Sequence, residues 1–206
     1  MNSPIPINIA VEDELSEVVV RKLLSTSGLN YAIGVAFNRG GAIFLKKKIP
    51  GFNNASKGCP WLLLTDLDQT SCAPTLIREW LPQKPNPNLI FRVAVREVES
   101  WILADREGFS RYLGVSPKKI PLKPDSVTDP KALVIELAKK CRKRELRDDI
   151  VPPNTDRKIG PNYNGRLIHF VHQEWQPNSA KNNSDSLNST IIAIKQFKPT
   201  LMNSVR

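Results

Sequence analysis

The fold is decided by the stretch Ile5-Pro6-Ile7-Asn8-Ile9-Ala10-Val11, a short apolar run that ends directly before Glu12-Asp13-Glu14. A second run, Trp61-Leu62-Leu63-Leu64-Thr65, ends in the same way before Asp66-Leu67-Asp68. Runs of this kind are typical of strands in a parallel sheet that is buried on both faces. Ligands of such sheets bind beyond the carboxyl ends of the strands. We therefore expect the two acidic clusters to converge at one edge of a sheet.

Strands and helices alternate through the first half of the chain. The spacing of apolar residues predicts a helix over 13–24, strands over 31–37 and 89–95, and a short helix after Pro74. The polar stretch 46–58 contains a proline and two glycines and is predicted to be a loop. Alternation of this kind implies right-handed crossovers and a mostly parallel sheet.

The second half of the chain has a helical pattern. An apolar face continues from Val98 to Leu113, and an amphipathic helix is predicted over 131–144, with two more near the end of the chain. The predicted fold is α/β, with a Rossmann-like, mostly parallel sheet and flanking helices over residues 1–115. Residues 116–206 are predicted to form a mainly helical lobe packed on that core.

The chain is strongly basic. Its 206 residues carry 30 Lys plus Arg against 20 Asp plus Glu, a net charge of +10, which favours a polyanionic partner. The basic residues are clustered, as in Lys46-Lys47-Lys48 and in 139–144. We expect a nucleic acid as the partner; the alternative is a basic face that only solvates the protein.

The cysteines and the apolar segments limit the compartment. Cys59, Cys72 and Cys141 have no CxxC spacing and no paired framework, so neither structural zinc nor a disulfide scaffold is predicted. No eighteen apolar residues run together, so a membrane span is not predicted either. We expect a cytoplasmic protein.

Five carboxylates follow the first and third predicted strands, and three of them, Glu12, Asp66 and Asp68, are candidate metal ligands. Asp66 and Asp68 would share one face, and could bind one metal, if the strand continues through Asp68. The alternative for this pair is a helix N-cap or a turn. Glu12 is the acid nearest the end of the first strand, whereas Asp13 and Glu14 are better explained as charges that stabilise a helix start.

A further acidic pair, Glu97 and Glu99, follows the fourth predicted strand in Arg96-Glu97-Val98-Glu99-Ser100-Trp101. One of the two is expected to reach the edge of the sheet, and the other to lie on the surface or to pair with Arg96. Carboxylates grouped in this way hold Mg²⁺ or Mn²⁺, which prefer oxygen ligands. Two such ions can clamp both oxygens of a phosphodiester during displacement. The predicted metal ligands are Glu12, Asp66, Asp68, Glu97 and Glu99.

Other catalytic schemes have less support. His169 and His172 are the only histidines, and a zinc site would need two further ligands that nothing nearby indicates. The chain has neither GxxxxGK[ST] nor GxGxxG, so nucleotide binding through those loops is not predicted.

The chain resembles a known fold family at Val11-Glu12 and at Leu64-Thr65-Asp66-Leu67-Asp68. These residues are similar to the Glu plus DxD metal-binding pattern of Toprim domains, which occur in topoisomerases, primases and OLD-type nucleases. The stretch 96–105 resembles a segment of the small bacterial Toprim-like proteins of the DUF4276 group. Asp129-Pro130-Lys131, 160–164 (Gly-Pro-Asn-Tyr-Asn) and 184–187 resemble others, so that the resemblance spans nearly the whole chain. One departure is Asp13, where many Toprim sequences have a glycine.

The resemblance implies roles for individual residues. Glu12 would be the general acid or base, or a ligand, and Asp66 and Asp68 would bind metal. Glu99 would be the carboxylate that OLD-type nucleases place beyond the DxD, and Lys131 their late lysine. It also implies a role in phage defence beside a partner ATPase.

We expect a Mg²⁺-dependent, Toprim-type nuclease that acts on a nucleic acid, with DNA favoured over RNA and with Glu12, Glu99 and Lys131 as its catalytic residues. The alternative is a nucleic-acid-binding or regulatory subunit that keeps the Toprim fold with little or no catalysis. A third hypothesis is a receiver-like domain, which also gathers acids after its first and third strands. Receiver domains are shorter and need a lysine after a late strand.

Overall fold

The computed structural model describes residues 3–200 and divides them into two compact units. The first unit comprises residues 3–93 together with 189–200, and the second comprises 94–188. The boundary predicted after residue 115 falls inside the second unit. The predicted α/β class is confirmed, because a parallel sheet is flanked by helices and helices dominate the C-terminal half.

The sheet of the first unit has four strands in the order β2-β1-β3-β4. These are β1 (Ile5–Ala10), β2 (Tyr31–Phe37), β3 (Trp61–Asp66) and β4 (Leu89–Ala94), of which only Ala94 falls in the second unit. β1 pairs in parallel with β2 and with β3, and a register irregularity separates Ile7 from Ile9 in its pairing with β2. Ile7, Ile9 and Ala10 of β1 and the apolar residues of β3 are buried, as is typical of central parallel strands.

The helix predicted after β1 is confirmed as α1 (Glu14–Ser25). Asp13 is its N-cap, since the Asp13 carboxylate accepts a hydrogen bond from the backbone N–H of Ser16 at 2.8 Å. Glu14 and Glu17 lie in the first turn, where acidic side chains complement the helix dipole. The role predicted for Asp13 and Glu14 at the start of the helix is therefore confirmed.

The predicted loop over 46–58 is wrong. Most of it belongs to α2 (Gly41–Ala55), a fifteen-residue helix with Pro50 in its interior. Leu45, Ile49 and Phe52 recur at helical spacing and are buried, and this apolar face outweighs the polar composition and the proline. The predicted helix near Pro74 is confirmed as α3 (Ala73–Trp80).

The second unit is built almost entirely of helices. In chain order they are α4 (Val98–Ala104), α5 (Arg106–Leu113), α6 (Pro130–Ala138), α7 (Arg144–Ile150), α8 (Tyr163–Gln173) and α9 (Pro177–Ala180), with 3₁₀ turns at Pro117–Lys119 and Pro124–Ser126. The last helix, α10 (Asp185–Gln196), returns the chain to the first unit at Ser189. Within residues 3–200, no helix combines the length and the apolar character needed to cross a membrane.

The helix predicted over 131–144 is shorter than expected. α6 ends at Ala138, and the backbone N–H of Cys141 turns back to the carbonyl of Ala138 at 2.9 Å. The Cys141 side chain is buried, so the apolar pattern continues through the turn although the helix does not. The spacing of apolar residues in the sequence does not indicate that the helix ends there.

Candidate functional site

The strand order of the first unit defines a crevice between β1 and β3. From β1 the chain goes to β2 on one side, and from β2 it crosses back to β3 on the other. The point at which strand order reverses in this way is where open α/β sheets bind ligands, beyond the carboxyl ends of the strands. Glu12 follows the end of β1, and Asp66 is the last residue of β3.

The Glu12 carboxylate reaches across to the end of β3. Its Oε1 accepts a hydrogen bond from the backbone N–H of Asp66 at 2.9 Å and another from the hydroxyl of the buried Thr65. The predicted convergence of the two acidic clusters is therefore confirmed for Glu12 and the start of the DxD.

The surroundings of Glu12 disfavour its negative charge. Burial is the main cause that raises the pKa of the Glu12 carboxyl, and the nearby Asp68 and Asp13 carboxylates raise it further. The hydrogen bonds from Thr65 and Asp66 oppose this rise without cancelling it. A cation bound to this carboxylate would offset both the cost of burying its charge and its repulsion by Asp68 and Asp13.

Asp68 lies in a turn rather than in the strand. β3 ends at Asp66, and the φ angle of Asp68 is +49°, in the left-handed region. The expectation that the strand continues through Asp68 is therefore wrong, and alternation along a strand does not place the two aspartates on one face. Leu67 is buried beneath the turn, and its carbonyl accepts the N–H of Thr70 at 3.0 Å. Non-glycine residues with this conformation concentrate at functional sites.

The donor set at this crevice fits a hard cation. Glu12, Asp66 and Asp68 offer only carboxylate oxygens, the ligands that Mg²⁺ and Mn²⁺ prefer. Over residues 3–200, the structure gathers no three His, Cys, Asp or Glu side chains closely enough to enclose an ion. Such enclosure is not required of Mg²⁺, which usually takes one or two carboxylates, several waters and substrate phosphate.

The predicted acids Glu97 and Glu99 lie in the second unit, at the start of α4. Glu97 is the N-cap residue of α4, and its Oε2 accepts the backbone N–H of Lys131 at 3.2 Å. The ammonium group of Lys131 lies 3.8 Å from Oε1 of Glu97 and 3.6 Å from Oε1 of Glu99. The structure thus brings both predicted acids to the predicted lysine, with Glu97 half-buried and Glu99 buried.

Glu99 is the most buried member of this cluster, with 3% of its surface exposed. Its Oε1 also accepts a hydrogen bond from the hydroxyl of Tyr163 at 3.1 Å, inside the second unit. Burial raises the pKa of the Glu99 carboxyl, and the ammonium of Lys131 opposes that rise. Burial, together with Glu99, raises the pKa of Tyr163 well above its usual value, so Tyr163 remains a neutral donor.

Four segments that carry the family resemblance meet at α4. Asp129 caps α6, its carboxylate accepting the N–H of Ala132 at 2.7 Å, and so fixes the start of the helix that carries Lys131. The indole N–H of Trp101 donates to Oγ of Ser186 at 2.7 Å. Residues 96–105, 129–131, 160–164 and 184–187 are thus parts of one packed region.

Gly160 begins the segment that carries Tyr163 to Glu99. Its N–H donates to the carbonyl of Ile150 at 3.0 Å, and a Cβ at this position would lie 2.2 Å from the carbonyl oxygen of Asp149. Only glycine fits this approach of two backbone segments.

Two residues of these sites were not predicted from the sequence. Thr65 ends the apolar run that predicts β3, and the sequence indicates no role for it. Tyr163 lies in one of the segments that carry the resemblance, and the sequence indicates no role for it either. The contact of Tyr163 with Glu99 spans 64 positions, so no local pattern indicates it. The one available signal for Tyr163 is a tyrosine directly after a Gly-Pro-Asn turn, next to which an exposed polar residue is the usual choice.

Comparisons with protein-family models, with curated proteins and with solved structures found no match for this chain. The resemblance to Toprim domains and to the DUF4276 group therefore stays a prediction that rests on the residues quoted for it.

Proposed function

We propose that the chain is a Mg²⁺-dependent nuclease of the Toprim type, with its metal held by Glu12, Asp66 and Asp68. The observation that carries this proposal is the contact of the Glu12 carboxylate with the end of β3, in the crevice where strand order reverses. When bound, Mg²⁺ supplies positive charge for the phosphate oxygens that become more negative during displacement.

The residues of the chain have distinct tasks in this proposal. Thr65 and the Asp66 N–H hold the Glu12 carboxylate through Oε1. If Asp66 and Asp68 alone hold the ion, the raised pKa of the Glu12 carboxyl lets it hold a proton closer to neutral pH than an ordinary glutamic acid, so that Glu12 would act as the general acid or base. The turn at Asp68 places a further carboxylate near enough to Glu12 to disfavour its ionisation.

The substrate class is supported by charge. A net charge of +10 favours a polyanion, and phosphate is the group that a carboxylate-bound Mg²⁺ takes as a further ligand. DNA remains favoured over RNA, and action beside an ATPase in phage defence remains an implication of the resemblance. The prediction that Glu97, Glu99 and Lys131 contribute to catalysis stays a prediction.

A second candidate function is binding without catalysis, as a nucleic-acid-binding or regulatory subunit. It is supported by the net charge of +10, which favours a polyanionic partner whether or not the crevice binds a metal. On this reading the basic surface carries the function and the carboxylates of the crevice serve only the fold.

The test is plasmid nicking by the purified chain with Mg²⁺ and with Mn²⁺. Glu12→Gln, Asp66→Asn and Asp68→Asn should each abolish nicking, because each removes a charged oxygen ligand. Glu14→Gln is the matched control: it neutralises a neighbouring exposed acid of α1 and should cut as the wild type does. Equal cutting by all variants, or no cutting with either metal on duplex and single strands, would overturn the nuclease proposal. Salt-sensitive binding without cutting would support the second candidate.

A further inference from the structure

A cavity of about 410 Å³ lies at the carboxyl end of β2, wholly within the first unit. Its lining comes from the end of β2, the following turn and the first turns of α2, and consists of Ala36, Phe37, Asn38, Arg39, Gly40 and Phe44. Cavities of about 300–1,000 Å³ are the size class that holds small molecules. Neither the carboxylates of the crevice nor the acidic cluster of α4 contributes to it.

Two aromatic side chains line this cavity. The Phe37 ring is fixed by its neighbours, lying 6.0 Å from the Trp61 ring at an interplanar angle of 24° and 5.6 Å from the Phe52 ring. Phe37 is nevertheless 41% exposed, which is unusual for a phenylalanine held by two other aromatic rings. A rigid, partly exposed ring is a surface on which a planar group can stack.

Two cationic side chains lie next to the aromatic lining. Arg39 is exposed and contributes to the wall of the cavity. The ammonium of Lys48 lies 5.8 Å from the centre of the Phe44 ring, one helical turn along α2. Aromatic rings next to cationic side chains are the combination that binds single-stranded nucleic acids, because bases stack on the rings while phosphates pair with the cations.

The cavity is tied to the peptide segment that carries Glu12. The backbone N–H of Gly41 donates to the carbonyl of Glu12 at 3.3 Å, and the N–H of Val11 donates to the carbonyl of Phe37 at 2.8 Å. The side chain of Asn38 donates to the carboxylate of Glu17 on α1 at 2.5 Å. The turn that forms the cavity and the crevice that holds Glu12 therefore lie at the same edge of the sheet.

We propose that this cavity receives one base of a single-stranded nucleic acid, in contact with the rings of both Phe37 and Phe44, with Arg39 and Lys48 on the adjacent phosphates. This inference rests on the proposed function for its substrate class and extends it to strand type. Bases within a duplex are stacked on one another and cannot enter a cavity without being extruded. Single strands or frayed ends are thus the preferred ligands.

The experiment measures binding in EDTA, so that neither metal nor cleavage contributes. Fluorescent oligothymidylate and oligouridylate are each compared with strands of the same length that lack bases. The wild type should bind the strands with bases roughly 5- to 100-fold more tightly, the range expected when a base–aromatic stack is lost. Phe44→Leu keeps an apolar side chain but no ring and should lose much of that difference. Ile43→Ala, a change at an adjacent and 84% exposed position outside the lining, should retain it.

Arg39→Ala provides a second variant at an exposed position, for use if Phe44→Leu fails to fold. Loss of one phosphate contact should lower the slope of log affinity against log salt by about 1 for either strand. Equal binding of strands with and without bases by the wild type, an unchanged difference in folded Phe44→Leu, or an unchanged salt slope in Arg39→Ala would each overturn the proposal.

The same assay separates this inference from the nuclease proposal. Glu12→Gln removes a negative charge and no lining group, and should bind the strands with bases at least as tightly as the wild type does. If the chain binds strands in a base-dependent way but never cuts them, the inference about the cavity stands and only the nuclease proposal is wrong. If the chain cuts but its binding does not depend on bases, the nuclease proposal stands and the inference about the cavity is wrong.

Discussion

The hydroxyl of Tyr163 donates a hydrogen bond to Oε1 of Glu99, a carboxylate that is almost fully buried. Lys131 approaches the same oxygen atom from α6, at 3.6 Å. A buried carboxylate is tolerated when it is both paired and hydrogen-bonded, and this site meets both conditions. The stability of the second unit should therefore depend on the lysine.

Lys131→Met should lower the free energy of unfolding by about 1–2 kcal/mol. Breaking a fully buried ion pair costs about 3–5 kcal/mol, and the smaller value is expected here because the Lys131 side chain is 40% exposed. The loss arises because Glu97 and Glu99 would no longer share the ammonium group of Lys131. Urea unfolding followed by circular dichroism measures it.

Adding Glu99→Gln to Lys131→Met identifies the cause. Glutamine keeps an oxygen that accepts from Tyr163 but carries no charge, so the double variant should regain most of the lost stability. If it is no more stable than Lys131→Met alone, the lysine acts through packing of its aliphatic stem and not through charge.

Glu12→Gln should abolish nicking and yet be more stable than the wild type at about pH 8. Because burial raises the pKa of Glu12 above 4.5, the stability linked to its proton is complete below that value and is lost as the pH rises through the raised pKa. Glutamine cannot ionise, so the two proteins should be similar under acidic conditions and diverge as the pH increases. Denaturant unfolding across that range checks the sign, and an advantage that does not grow with pH would contradict it.

Tyr31→Phe should change the pH dependence of stability under alkaline conditions. The Tyr31 hydroxyl donates to the carbonyl of Ile194 at 2.7 Å, and its loss should cost about 1 kcal/mol near neutral pH. Burial raises the pKa of Tyr31 from 10.0 to about 12, so the stability linked to its proton is complete below 10.0 and is lost between those values. The deficit of Tyr31→Phe should therefore shrink as the pH rises above 10.0. Tyr112 has a similarly raised pKa, but its titration is common to both proteins and cancels in the comparison.

Gly160→Ala should destabilise the chain by about 1–3 kcal/mol, because the new methyl group would overlap the backbone of Asp149 and Ile150. Gly51→Ala is the matched control. Gly51 lies inside α2 and a Cβ there meets nothing within 4 Å, so the alanine should stabilise by about 0.5–1 kcal/mol. Thermal unfolding of both variants measures the contrast. Equal effects would mean that the backbone around Gly160 relaxes to accept a side chain.

β1 and β3 were predictable because each is a short, mainly apolar run that leads into acidic residues. α2 was not predicted, because Pro50 and the lysines before it indicate a loop when only neighbours along the chain are considered. Burial of Leu45, Ile49 and Phe52 decides the outcome, and that burial is supplied by the rest of the first unit.

The part of the candidate site that depends only on the order of the strands was predictable from the sequence. Glu12 contacts the end of β3 because it directly follows β1, and β1 and β3 are neighbouring parallel strands whose carboxyl ends lie at the same edge of the sheet. The turn at Asp68 was not predictable, since Asp-Leu-Asp fits both an extended strand and a turn. The contact between Tyr163 and Glu99 depends on how helices from distant parts of the second unit pack, which residue spacing does not encode.

The first unit is completed by residues that follow the second unit along the chain. Tyr31 of β2 bonds to Ile194, the Arg92 side chain of β4 donates to Thr190 at 3.2 Å, and Asn88 exchanges two hydrogen bonds with Thr200. During translation, the four strands leave the ribosome long before the helix that completes their unit. A message truncated anywhere within the second unit would therefore yield a sheet without its final helix, and so a target for cellular proteases rather than a partly active protein.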